Sequence, residues 1–188
     1  MVDKNAVENA IREIIEAIPE DISREGLIET PRRVAEMYQE LFSGICQDPR
    51  DELSVGFELG HHEMVILKDI PFYSMCEHHL LPFFGNVHIG YVPNEEGRIV
   101  GISKLARVVE CVSRRPQVQE RMVTEIADAI NDALKPNGVA VVIEAEHLCM
   151  IMRGIKKPGS TVITSALRGL FRRNAASRAE FFSLIKSV

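Results

Sequence analysis

The apolar positions near the start of the chain recur at helical spacing. Val7, Ile11, Ile14, Ile15 and Ile18 fall on one face, and Pro19 closes the segment. A second helix is predicted from Thr30-Pro31, a good cap and first-turn pair. Its stripe is Val34, Met37/Tyr38 and Leu41, and Gly44 ends it. A loop carrying Pro49 and Gly56 follows, so residues 1–60 read as an N-terminal helical appendage and 61–188 as the main domain.

Beyond that loop the pattern changes to β-branched runs. Met64–Ile70 and Asn86–Val92 read as strands, with a turn over Pro93–Gly97. Ser103 is the expected cap of a helix bearing Leu105, Val108, Val109 and Val112 along one side. Pro116 is expected to break it and open another, with Val118, Met122, Ile126 and Ile130. Pro136-Asn137-Gly138 is a turn. Val139–Met150 reads as a long strand and Thr161–Thr164 as a shorter one. Ser177 and Glu180 suggest a capping box ahead of a last helix with Phe181, Phe182, Leu184 and Ile185. The order β-β-α-α-β-β predicts an α+β fold, an antiparallel sheet with a helix pair on one face.

Composition narrows the class. The 188 residues suit one domain, or one domain with an appendage. No apolar run approaches the roughly 20 residues of a membrane helix, and the N-terminus lacks the layout of a secretory signal. A cytoplasmic protein with no membrane partner is expected. The four cysteines, Cys46, Cys76, Cys111 and Cys149, are then metal ligands, catalytic groups or buried thiols rather than disulfides. The net charge of −5 hides an asymmetry: residues 1–60 carry a balance of −8 and residues 151–188 one of +7. A basic segment in an acidic protein points to a local anion site rather than to nucleic acid, or to charge pairing between the two ends.

The most informative string is Ser74-Met75-Cys76-Glu77-His78-His79. Cys76 and His79 have a C-x-x-H spacing that suits two ligands of one metal. A third soft ligand lies in His147-Leu148-Cys149, where a strand would point His147 and Cys149 the same way. Zinc favours such donors; three protein ligands leave a place for water, whereas a fourth from His78 or His147 would close a structural site. Cys111 reads as a packed thiol, and His61, His62 and His88 as surface or sheet histidines.

Ser103-Lys104-Leu105-Ala106-Arg107 places Lys104 and Arg107 on one face of a helix start, a ready phosphate site. Arg153 follows the second cysteine segment. Glu120, in Gln117-Val118-Gln119-Glu120-Arg121, suits a guanine edge, because a carboxylate accepts from both N1–H and the exocyclic amine. Each of these residues taken alone is more simply a solvated charge or helix-dipole compensation.

Together these strings resemble GTP cyclohydrolase I: Cys76-Glu77-His78-His79; Gly101-Ile102-Ser103-Lys104-Leu105 with Arg107; Arg115-Pro116-Gln117-Val118-Gln119-Glu120-Arg121; and His147-Leu148-Cys149-Met150 with Met152-Arg153-Gly154. The resemblance extends to Glu29–Ala35 and Thr164–Phe171 and covers residues 28–188. It implies the tunnelling fold in a toroidal homo-oligomer of allosteric type, typically a decamer, with active sites between subunits. It implies Zn2+ held by Cys76, His79 and Cys149, with a zinc-bound water attacking C8 of GTP and His78 protonating the ring. His147 and Ser103 would complete the catalytic set. Gln119 and Glu120 would bind guanine, and Lys104, Arg107, Arg153 and Arg33 the triphosphate. Formate would leave and 7,8-dihydroneopterin triphosphate would form, the first step of pterin and folate synthesis.

Two positions depart from the family's habit. Val123 stands where a small polar residue is usual, and Glu36 where a lysine is common. Neither is a chemical residue. Rival classes are a non-enzymatic zinc-stabilised module, which needs a closed fourth position, and a nucleobase deaminase, which needs a C-x-x-C absent from this chain.

Overall fold

The computed structural model describes residues 2–186. Helices α1 (Lys4–Ala17) and α2 (Thr30–Leu41) pack against each other, as their apolar stripes require. Asp3 caps α1 by accepting from the Ala6 amide at 3.0 Å. Two 3-10 turns, Ser43–Cys46 and Asp51–Leu53, lead into β1 (Gly56–Glu58). Leu53 is 1% exposed within the main core, and β1 pairs with the strand Arg98–Val100, so packing of the sheet domain extends back across residue 60.

The remaining elements are β2 (Val65–Cys76), β3 (Pro82–Val92), β4 (Arg98–Val100), α3 (Ile102–Ser113), β5 (Pro116–Gln117), α4 (Gln119–Leu134), β6 (Gly138–His147), α5 (Leu148–Ile151), β7 (Thr161–Gly169), α6 (Leu170–Arg173) and α7 (Ala175–Lys186). The main sheet has the order β5-β2-β3-β6-β7, antiparallel except for the short parallel pair β2–β5. Helices α3 and α4 cover one face through Val108, Val112, Met122, Ile126 and Ile130 against Val87, Ile89, Val141 and Ile143. Phe171 and Phe181 cover part of the other face over Ala140 and Val142. The expected α+β architecture, with a helix pair on one face, is the one observed. Val123 lies in the core, 3% exposed, which explains an apolar residue there.

Several boundaries differ from expectation. Strand β2 runs on through Pro71 to Cys76. Its outer edge is paired only at Met75 and Cys76, and an open edge tolerates a residue without an N–H. The strand accommodates a bulge between Leu67 and Ile70, where Asp69 adopts φ 58°. Buried His88, on β3, secures it by accepting from the Asp69 amide at Nδ1, 3.1 Å away. Helix α3 is capped by Gly101, not Ser103, which lies inside the first turn. Pro116 and Gln117 form β5, and the next helix starts only at Gln119.

The last helix begins before Ser177. The Asn174 carboxamide caps it, accepting from the amides of Ala176 at 2.9 Å and Ser177 at 3.1 Å. The Asn174→Ala variant should therefore lose about 1 kcal/mol of stability. Ser177→Ala should stay within about 0.5 kcal/mol of the parent. Urea unfolding midpoints compare the two; equal losses would return the cap to Ser177.

Candidate metal centre and its surroundings

The segment after β2 turns tightly. The Cys76 amide donates to the Leu81 carbonyl at 2.9 Å, and the Leu80 amide returns to the Cys76 carbonyl at 2.8 Å. This turn presents Cys76 and His79 together. Strand β6 ends at His147, and Leu148–Ile151 is one helical turn. The expected strand alternation therefore does not reach Cys149; the helical turn swings its thiol toward the Cys76 turn. One ligand atom each from Cys76, His79 and Cys149 lies within 4.8 Å of the others.

Three donors, not four, converge here among the described residues. His78 Nδ1 stands 3.9 Å from Cys76 Sγ, outside that group. His147 Nε2 is engaged elsewhere, 2.7 Å from Gln119 Oε1. Burial, and then the neighbouring Cys76 thiol, push the Cys149 thiol up, with Arg153 acting the other way. A bound cation is the partner that would offset this and favour the Cys149 thiolate. Two sulfurs and an imidazole nitrogen thus fit a soft divalent metal.

The turn is tied to α4. The Glu77 amide donates to the Gln117 carbonyl at 3.0 Å, and the Glu77 carboxylate accepts from Arg121. That guanidinium holds the Glu77 carboxyl below the usual carboxylate range. Arg121 also donates from Nε to Gln117 Oε1 at 2.9 Å. Glu77 and Arg121 stand in the motif strings without an expected role; their partnership spans 44 positions and has no local signal.

His147 stacks on Phe83, centroids 4.7 Å apart and planes 3° from parallel. The strand register places the two opposite each other. Close approach of β3 and β6 helps hold them. A side chain at Gly85 would strike the Glu144 carbonyl and Ala145 Cα. Burial pushes the His147 imidazole down, and the Glu120 carboxylate opposes this. Glu120 itself is exposed in the first turn of α4, while Gln119 is buried behind it. Arg153 Nη1 lies 2.8 Å from His79 Nε2, so this cation sits at the metal group.

The other cations lie elsewhere. Ser103 and Lys104 occupy the first turn of α3, whose last residue, Ser113, accepts from Ser74 two positions before Cys76 at 2.7 Å. The helix rise puts Ser103 about 15 Å from that end. Lys104 and Arg107 both approach the Glu52 carboxylate, at 3.7 Å. Arg33 is exposed on α2, which packs against α1 and the Ser43–Cys46 turn. Within one chain, then, the structure brings together Cys76, His79, Cys149, His78 and Arg153, and separately Gln119 and His147. It leaves Ser103 and Lys104 at the far end of α3, with Arg107 midway along the helix.

No helix among the described residues is long and apolar enough to cross a membrane. The sequence profile of GTP cyclohydrolase I matches residues 7–186. A GTP cyclohydrolase 1 of Dehalococcoides mccartyi is 70% identical over 186 residues, 99% of this chain and 98% of that one. Those of Clostridioides difficile and of Caldanaerobacter subterraneus subsp. tengcongensis are 60% and 59% identical, each over at least 98% of this chain and 97% of their own. With its Cys-His-Cys group assembled and residues 7–186 matched, the chain belongs to the GTP cyclohydrolase I family.

Proposed function

We propose that the face around Cys76, His79 and Cys149 opens the imidazole ring of GTP with zinc as the metal. The family's reaction converts GTP to 7,8-dihydroneopterin triphosphate, the entry to pterin and folate synthesis. The convergence of three donors, with His78 and His147 outside the group, is the observation that carries this reading. Zinc in such a site supplies Lewis acidity that makes water a nucleophile at neutral pH.

The chain's own residues do the rest. The Glu120 carboxylate accepts from N1–H and the exocyclic amine of guanine, a pair of donors that adenine does not offer. His78, beside Cys76, gives a proton to the imidazole ring as C8 is attacked, and formate leaves. His147, fixed against Phe83, moves the second proton. Arg153 binds phosphate beside the metal group, joined by Lys104, Arg107 and Arg33, with Ser103 near the ribose.

Ser103 and Lys104 lie at the opposite end of α3 from the thiols, and Arg107 in mid-helix shares the Glu52 carboxylate with Lys104, so the three serve the metal group of a neighbouring copy. The functional unit is a ring-shaped homo-oligomer, a decamer by family habit, with sites between subunits. The exposed apolar residues Phe57, Leu59, Tyr73, Ile102 and Ile163 supply surface for such contacts.

Subunit mixing tests both the reaction and its shared site. Cys149→Ala and Arg107→Ala proteins, each alone, should release little formate from GTP. Unfolded and reassembled together in equal amounts, they should recover about a quarter of the parent's activity, the random share of sites drawing a sound half from each. Formate, the pterin chromophore after oxidation, and bound metal are read in one sample. No pterin from the parent protein would sink the reaction; no recovery on mixing would sink the shared site.

A further inference from the structure

The Gln119 side chain is turned into the protein. It is 1% exposed, although it opens a helix beside the exposed Glu120. Its Nε2 lies 3.0 Å from the Ile143 carbonyl, 3.0 Å from the Val162 carbonyl and 3.2 Å from Thr164 Oγ1. A carbonyl oxygen only accepts, so two of them fix which end of the amide is nitrogen. Both N–H groups are consumed by β6 and β7. The oxygen end is left facing His147 Nε2 at 2.7 Å. An amide oxygen only accepts as well, so this contact is satisfied only when His147 carries its proton on Nε2.

We propose that Gln119 is the positioning residue of His147, selecting the Nε2–H tautomer and leaving Nδ1 as the basic atom of the neutral ring. Phe83 fixes the plane of that ring, and Gln119 fixes its rotation and the identity of its free nitrogen. The chain of constraint is continuous: the carbonyls of adjacent strands orient the amide, the amide orients the imidazole, and the imidazole offers one defined nitrogen. With both N–H groups committed to β6 and β7, the amide has no donor left for guanine. Base reading then falls to Glu120, one position on, and the two neighbours divide the work of recognition and proton transfer.

The inference rests on the proposed role of His147 in the reaction, and the test keeps the two apart. Solid-state 15N spectra of histidine-labelled parent protein, with His147 assigned by difference from His147→Asn, should show a single tautomer protonated at Nε2. A ring protonated at Nδ1 would overturn the inference with no functional variant needed. Gln119→Met, which keeps the length and removes both polar ends, should give mixed tautomers. Its kcat should fall on the order of 10- to 100-fold while KM for GTP and bound metal stay near the parent's. A raised KM with unchanged kcat would make Gln119 a base contact and overturn the positioning role. Unchanged kcat in His147→Asn would instead remove His147 from the reaction and leave the tautomer result standing on its own.

Discussion

Replacing Cys149 with alanine is expected to abolish metal binding and formate release together. Only three donors converge among the described residues, and Cys149 is one of the two thiols. Removing it leaves Cys76 and His79, a pair held in one short turn that cannot enclose a metal. The loss of a thiolate from a three-ligand site should lower metal content from stoichiometric to near background, and ring opening by roughly 10³-fold or more, since the nucleophile depends on the metal. The fold should survive. Cys149 sits half-buried on a single helical turn after β6, and the sheet does not need it. Elemental analysis, formate release and circular dichroism on one preparation check all three. Stoichiometric metal with undiminished formate would refute the assignment.

The second large effect is expected at Glu120. In Glu120→Gln one acceptor oxygen becomes an amide that must face a donor of guanine. One hydrogen bond is lost and a donor–donor contact is introduced. The expected fall in kcat/KM for GTP is on the order of 10²-fold or more, the cost of leaving polar groups unmatched in a closed site. Stability should barely change, because Glu120 is exposed in a first helical turn where an uncharged amide loses only a small dipole term. Steady-state kinetics and thermal melting of the same protein separate the two effects. Unchanged kinetics would remove Glu120 from guanine recognition.

Both residues were legible in the sequence, and the physical reasons differ. Cys149 stood out because soft donors are rare and the Cys76–His79 spacing called for a third. The geometry that brings it there was not legible. The sequence pattern predicts a strand through Met150, whereas the strand stops at His147 and the ligand arrives on a helical turn. Helices α1 to α4 were readable from apolar spacing. Strand β2 looked finished at Pro71 because the openness of its outer edge is a property of the sheet, not of the segment. Gln119 was expected, with Glu120, to bind guanine. The inward turn of its amide depends on carbonyls of β6 and β7, at positions 143 and 162, which only the strand register brings side by side. Lys104 and Arg107 were visible as a cationic pair, but the distance of Lys104 from the thiols follows from the direction in which α3 runs.

That direction governs what a newly made chain is able to do. A solitary copy holds thiols at one end of α3 and Ser103 and Lys104 at the other, with Glu52 close to both Lys104 and Arg107. Under the shared site proposed above, such a chain would hold only part of the grip on a nucleotide. On that proposal assembly would be the licensing step, and catalysis per chain should decline on extreme dilution well before any helix melts.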